Sequence, residues 1–419
     1  MSTYAELSAR FAPLFAKIAE GAGQRDRDRV LPFEQVALLD EARFGALRVP
    51  ESAGGYGASI ETTVALLIDL AAADSNVAHL YRSHLGFTET LSWQRPEVRD
   101  AWYARIAVGV TVGNASTEIG GNALGTLNTT LARTADGLRL TGKKYYSTGT
   151  IFSDYTRVSV SVEERPGERG FVLVRTDAPG VTVLDDWDGF GQRLTGTGTT
   201  VFEDVEVSED AVLPRVGKSQ EAIHEAAFFQ VVLLAVQAGI ARAARNDTAA
   251  LVRGRKRTFN TGSGALFRED PLILAEVGTI ASKAFAAEAA VLSAARALDV
   301  SRAACDRHLS ADPADVPQEA IAAELAVEAA HVVVPDLAIS AAESLFRCSG
   351  ASATSAGKGL DRHWRNAQTV ATHNPIPFRA RSLGDYWVNG TVPEGLNAIG
   401  DATPSTQAGS AAEATPAAG

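Results

Sequence analysis

The chain has 419 residues, 46% hydrophobic and 21% charged, with a formal charge of −11. That size suits two or three domains with a packed interior. The acidic balance argues against nucleic acid or an anionic membrane surface as partner, because both demand basic patches.

The first texture, residues 1–107, is helical. Tyr4–Ile18, Pro32–Ala46 and Ile60–Ala73 carry apolar residues at three-to-four spacing, and the Pro/Gly-rich RVPESAGGYGAS cannot continue a helix between the last two. The N-terminal stretch has interspersed charges and lacks the apolar core of a signal peptide. SNVAHLYRSHLGF then continues the helical pattern, with His79 and His84 five apart, so the two do not share one face as HExxH ligands do.

From 108 to 213 the period changes to two. TLARTADGLRLTGKKYY alternates around Asp136-Gly137, which predicts a hairpin. RVSVSVEER, GFVLVRTD, VTVLDDW and TTVFEDVEV follow, which predicts a β domain built as a compact barrel or sandwich. Two segments here, GNASTEIGGNALGT and TGKKYYSTGT, are rich in hydroxyl and amide side chains and hold no obvious nucleophile. Ser147 has neither a GxSxG elbow nor a nearby His/acid pattern, so it reads as a hydrogen-bonding hydroxyl. GFGQRLTGTG lacks the GxGxxG spacing and lies between strands, so its glycines read as turn residues.

Residues 214–400 return to the helical period. AEVGTIASKAFAAEAAVLSAARALDV and ELAVEAAHVVVPDLAISAAESLF have the wide apolar faces of a bundle that also packs on other subunits. The most apolar run, AAFFQVVLLAVQAGIA, contains Gln230 and Gln237 and falls short of the roughly 18 uninterrupted apolar residues of a membrane span. No membrane association is expected, and the reading places the protein in the cytoplasm. Cys305 and Cys348 lie outside any CxxC or Cys/His spacing, which argues for free thiols and against a structural metal site. The basic run RGRKRTFNTG reads either as a solvated helix end or as a phosphate clamp. His373, in ATHNPIPFR, lies in a loop made by two prolines, and taken alone is an ordinary structural or surface histidine. The tail, residues 401–419, is low-complexity and reads as disordered.

Together these stretches resemble the acyl-CoA dehydrogenase superfamily. The order of helical N-terminal domain, central β-barrel domain and C-terminal four-helix bundle, an α+β architecture, is that family's. RVPESAGGYG, NASTE followed by GGNA, and DWDGFGQRLTGTGTTVFEDVEV resemble its motifs in order. Similarity is closer to its flavin-dependent monooxygenase branch, typified by dibenzothiophene monooxygenase. It is carried by DSNVAHLYRSHLGF, GKKYYSTGTIFSD and GLDRHWRNAQTVATHNP.

Chemistry separates the branches. A dehydrogenase needs a carboxylate base to remove the α-proton of an acyl-CoA. At the two positions where the resemblance places that glutamate, this chain has His373-Asn374 and Gln230. The resemblance therefore implies a two-component monooxygenase that uses reduced FMN (FMNH2), in preference to FAD, and dioxygen. An NAD(P)H-dependent flavin reductase would supply the reduced flavin. A flavin C4a-hydroperoxide would oxygenate a small organosulfur, nitrogen or aromatic substrate, and small neutral polar groups suit such an adduct.

By resemblance, His79 and His373 flank the reacting oxygen, Asn114 holds it or the substrate, and Ser147 bonds near flavin N5. Ser116 and Thr117 contact the pyrimidine edge, Arg257 binds the flavin phosphate with Phe259 beside it, and Trp187 borders the substrate. A homotetramer is also implied. Where the typical enzyme has a tyrosine four residues after the first histidine, this chain has Ser83, and Tyr81 would point elsewhere on the helix. Two other readings stay open: an acyl-CoA dehydrogenase with an unrecognised base such as Glu225, and a scaffold that has lost its cofactor.

Overall fold

A computed structural model describes residues 2–119, 127–162, 169–213, 220–263, 266–307 and 316–393. The GGNA motif and the 401–419 tail lie outside the described residues. Six helices come first: α1 (Tyr4–Ala19), α2 (Ala22–Asp28), α3 (Phe33–Glu41), α4 (Ile60–Ala73), α5 (Ser75–Thr90) and α6 (Pro96–Ala107). The stretch predicted as a helix over Pro32–Ala46 is shorter. Arg43 adopts a left-handed backbone (φ 59°) that ends α3, and Phe44–Ala46 form a separate 3-10 turn.

α5 is the unusual helix. Every residue from Ser75 to Thr90 except Arg82 is buried, although the sequence includes two histidines, a glutamate and several hydroxyls. Asp74 caps it by accepting from the Asn76 amide and is itself paired with Arg25 at 2.9 Å.

Among the described residues eight strands follow: β1 (Val112–Ala115), β2 (Thr130–Thr134), β3 (Gly137–Lys144), β4 (Tyr155–Val162), β5 (Arg169–Arg175), β6 (Val181–Val183), β7 (Thr200–Val207) and β8 (Val212–Leu213). They form one mixed sheet in the order β6-β7-β3-β2-β4-β5-β8, with β1 running parallel along the first half of β4. The predicted hairpin is β2–β3. Thr134 pairs with Gly137 across the turn, and Gly137 takes a positive φ of 117°. The inward faces of these strands, Leu131, Leu140, Val158, Val160, Val172 and Phe202 among them, make a separate core.

The last unit is α7 (Gln220–Gly254), α8 (Pro271–Arg307), α9 (Gln318–Ser349), α10 (Asp361–Ala371) and α11 (Ile376–Asn389). α7, α8 and α9 pack on one another, α10 lies against α7 and α9, and α11 lies against α9. α4 and α5 also pack on α7, which joins the first and last helical units in one core through Val64, Leu67, Phe228, Val232 and Leu234. Cys305 and Cys348 are both buried and unpaired.

The sequence expectation about membrane-length segments needs correction. Among the described residues three helices, Ile223–Gly254, Pro271–Asp306 and Gln318–Ser349, are long and apolar enough to cross a membrane. Scattered glutamines do not outweigh the flanking alanines and valines. In the folded chain the most apolar window of α7 is 83% buried, whereas that of α8 is only 28% buried.

Candidate functional site

A cavity of about 550 Å³ opens where all three units meet. α5 contributes His79, Arg82 and Ser83. β1 and the residues after it contribute Asn114, Ser116 and Thr117, the turn after β3 adds Tyr146 and Thr148, and β4 and β5 add Arg157 and Phe171. Trp187, Gln192 and Thr197 come from the loop before β7, and Glu225, Phe229 and Gln230 from α7. His373 and Asn374 come from the connection between α10 and α11.

The polar floor is held from behind. Lys144 is fully buried and donates to Glu118 at 2.7 Å and to Ser159 at 3.1 Å. Glu118 also accepts from the backbone amides of Asn128 and Thr129. Desolvation pushes this carboxyl up, but the Lys144 ammonium and the amide donors outweigh it and bring the pKa to about 2. The acid of the NASTE motif is thus a brace behind the floor.

In front of the brace, Ser116 donates to Asn114 Oδ1 at 2.7 Å, and Ser159 donates to the Ser116 carbonyl at 2.9 Å. β1 can lie this close to the Thr150 turn only because position 113 is glycine. A Cβ there would sit 2.5 Å from Thr150 Oγ1.

Tyr146 has a left-handed backbone (φ 58°), and its ring meets Trp187 edge-on at 6.1 Å. Ser147, between the lining residues Tyr146 and Thr148, is fully buried. Its side chain is not part of the cavity surface, and its Oγ has no partner.

Both histidines reach the cavity. His79 Nδ1 lies 3.3 Å from Gln192 Oε1, and Gln192 gives its amide to Ser75. That arrangement puts the proton on Nδ1 and leaves Nε2 as an unpartnered acceptor. Desolvation, and then the charge of Arg82, lowers the His79 pKa to about 4. His373 is solvent-accessible and opens onto the cavity. Desolvation holds it well below its ordinary value, assisted by Arg82, His79 and His331. Both imidazoles are neutral near pH 7.

The two positions where the resemblance places a dehydrogenase's acid, Gln230 and His373-Asn374, are joined by a hydrogen bond: Asn374 Nδ2 donates to Gln230 Oε1 at 2.6 Å. Among the described residues one carboxylate lines the cavity, Glu225, but it is buried and paired with the Arg157 guanidinium. Tyr81 points away, as its helix position predicts, and its hydroxyl donates to Asp40 at 2.7 Å.

Arg257 and Phe259 are not brought to this cavity. Both are exposed beyond the end of α7, and the Phe259 ring lies under the Arg255 guanidinium at 4.5 Å. Residues that the sequence reading passed over are Arg82, Arg157, Phe171, Gln192 and Phe229. Arg82 could have been found, since it lies three residues after His79 on the same helical face. The pairing of Asn114 with Arg157 across β1 and β4 has no signal in the sequence.

The donor set fits a flavin. A ring system with nitrogen and oxygen edges needs neutral hydrogen-bonding groups, and the cavity offers Asn114, Ser116 and Thr117, with the unpartnered Ser147 Oγ and His79 Nε2 beside them.

Residues 113–205 match the acyl-CoA dehydrogenase middle domain, and residues 231–377 match its C-terminal domain. The chain is 28% identical over 386 residues to a probable FMNH2-dependent monooxygenase, SfnC, of Pseudomonas putida, covering 91% of this chain and 94% of that protein. It is also 28% identical over 360 residues to dibenzothiophene monooxygenase of Mycolicibacterium goodii, covering 83% and 85%. The FMN-bound structure of TdsC from Paenibacillus sp. A11-2 superposes with a TM-score of 0.82 at 25% identity, covering 92% of this chain and 98% of that one. The chain belongs to the acyl-CoA dehydrogenase superfamily, and within it to the flavin-dependent monooxygenase branch.

Proposed function

We propose that the protein is a two-component monooxygenase that takes reduced FMN from a separate NAD(P)H-dependent reductase and inserts one atom of dioxygen into a small organic substrate, organosulfur compounds first among them. The observation that carries this reading is that neither base position holds a carboxylate: Gln230 stands at one and His373-Asn374 at the other, with the Gln230 and Asn374 amides bonded to each other. The similarity to FMNH2-dependent and dibenzothiophene monooxygenases supports it. Glu225 is no substitute base, because its charge is neutralised by Arg157.

Bound reduced flavin supplies the electrons that activate dioxygen. The chain supplies the rest. Asn114, Ser116 and Thr117 orient the ring edge, and the Ser147 hydroxyl is a donor close behind them. His79, with its proton fixed on Nδ1, presents Nε2 as an acceptor, and His373 faces the same space, so either ring can take up a proton, becoming an imidazolium for as long as it holds it, and return it. Phe171, Phe229 and Trp187 keep water from the reacting centre.

Arg257 with Phe259 is the proposed phosphate contact. Its exposed position suits a homotetramer, in which a neighbouring copy's cavity would approach it. The exposed apolar side chains of α8 and α11, including Phe285, Phe378 and Trp387, support such an assembly. We place the enzyme in the cytoplasm, with its reductase.

The test is reconstitution. Substrate should be consumed only when FMN, a flavin reductase, NAD(P)H and air are all present. Reduction of a dye by acyl-CoAs, with no need for oxygen, would instead establish the dehydrogenase.

A further inference from the structure

Among the described residues the cavity lining holds two arginines and one carboxylate. Arg157 is matched with Glu225 and stacks on Phe171 at 3.9 Å. Arg82 feels the Glu225 charge as well, but among the described residues no acid is within hydrogen-bond reach of it. Among the described residues its one hydrogen bond runs from Nε to the Phe229 carbonyl at 3.1 Å, and its guanidinium lies over the Phe229 ring at 4.7 Å. The two terminal nitrogens have no protein partner, and they are not among the sealed polar atoms. The side chain lines the cavity, so those nitrogens open onto it.

The fork is held in place. Phe229 is wedged against Gly86 of α5, where a Cβ would stand 2.4 Å from the ring. The carbonyl and the ring therefore fix both the direction and the plane of the guanidinium.

The surrounding charge sharpens the point. His79 and His373 are neutral beside it, and Gln230, Asn374 and Ser83 carry no charge, so the described residues of the lining keep one excess positive charge in a partly desolvated space. A guanidinium held with free terminal N–H groups matches the paired oxygens of an oxyacid. Phe171, Phe229 and Trp187 offer apolar surface for the rest of such a molecule.

We propose that Arg82 is the specificity determinant of this site and that the substrate is a small organic oxyanion, a sulfinate or carboxylate carried on an apolar body, with its oxygens on the Arg82 fork. The proposal rests on the monooxygenase reading for the reaction, but the binding it describes is measurable without turnover. With a sulfinate the balance is RSO2⁻ + O2 + FMNH2 → RSO3⁻ + FMN + H2O: sulfur and the flavin are oxidised, and dioxygen is reduced. An anion held by Arg82 could also be the phosphate of FMN, and the experiment separates the two.

Full-length protein saturated with FMN is titrated calorimetrically with benzenesulfinate and benzoate, and with methyl phenyl sulfone as the neutral counterpart. Wild type should prefer the anions at least about tenfold, and rising salt should erode that preference. Arg82→Gln should lose about tenfold or more in benzenesulfinate affinity and less than twofold for the sulfone, with Arg82→Lys between the two. Equal binding of anions and sulfone by wild type overturns the proposal, and that comparison needs no variant to fold. So does an Arg82→Gln variant that loses affinity for FMN but not for riboflavin, because Arg82 would then hold the cofactor phosphate. If methyl phenyl sulfide is oxygenated with reduced FMN while no anion preference exists, the anion proposal falls and the monooxygenase reading stands.

Discussion

Asn374 donates its side-chain amide to Gln230 Oε1 at 2.6 Å, joining the loop that carries His373 to the N-terminal third of α7. Both residues are buried, so the bond is sheltered from water and fixes the height of the loop above the cavity. Replacing Asn374 with Ala leaves the Gln230 carbonyl oxygen without this donor. Asn374→Ala should cost about 1–2 kcal/mol in denaturant unfolding. Product formation should fall about tenfold, with FMN affinity nearly unchanged.

Gln230→Glu tests whether an acid is tolerated where the dehydrogenase reading would want one. The Asn374 amide can still donate to a carboxylate, so the fold should survive. A charge brought into this space disturbs the neutral environment on which productive use of oxygen depends. The expected outcome is at least about a tenfold rise in the ratio of hydrogen peroxide released to product formed, read from a peroxide assay and chromatography on the same reaction. Acyl-CoA-dependent dye reduction by this variant would mean that the cavity is built for dehydrogenation after all.

The Lys144–Glu118 brace predicts a different signature. Removing the ammonium leaves a carboxylate largely cut off from water, with side-chain accessibilities of 0% for Lys144 and 10% for Glu118. Lys144→Met should cost about 3 kcal/mol of unfolding free energy. The double variant Lys144→Met/Glu118→Gln should recover part of that loss, because the unmatched charge is gone. Equal losses in the single and double variants would show that the two side chains do not act as a pair.

These residues also show where sequence reading stops. The change of period from 3.6 to 2 and back marks where helices give way to strands, and the absence of an acid at Gln230 is visible in the letters alone. Lys144 is not legible in that way. A lysine between a strand and a run of hydroxyl residues looks solvated, and only the fold brings Glu118 and Ser159 against it. α5 misleads more thoroughly. Its polar composition suggests a half-exposed helix, yet it is buried along almost its whole length because the first and last helical units close over it. The histidines gained weight only through family resemblance, since nothing local to His79 announces Gln192, 113 positions away. Arg257 and Phe259 were legible as a basic-aromatic pair, but their distance from the cavity lining depends on where the end of α7 lies in space.

Buried histidines set the pH response of the fold. His84 accepts from the Val112 amide at Nδ1 (3.1 Å), and its Nε2 donates to the Gly45 carbonyl (3.0 Å), so only the neutral ring satisfies both. Desolvation lowers the pKa of His79, His84 and His331 to about 4 in each case. The unfolded chain binds protons at these sites near pH 6.5, while the folded chain does not until about pH 4. Their contribution to stability is therefore complete above pH 6.5 and shrinks as the pH falls through this window. Unfolding free energy, followed by urea titration from pH 7.5 to 4.5, should decline on the acid side. His84→Gln should flatten part of the decline and lower stability at pH 7.5.

The most direct measurement is the origin of the oxygen in the product. With FMN, a flavin reductase and NADH under ¹⁸O2, the account predicts one ¹⁸O atom per product molecule and none when the label is supplied as H2¹⁸O. Turnover that proceeds with acyl-CoA under argon, or a product that never carries ¹⁸O from the gas, would contradict it.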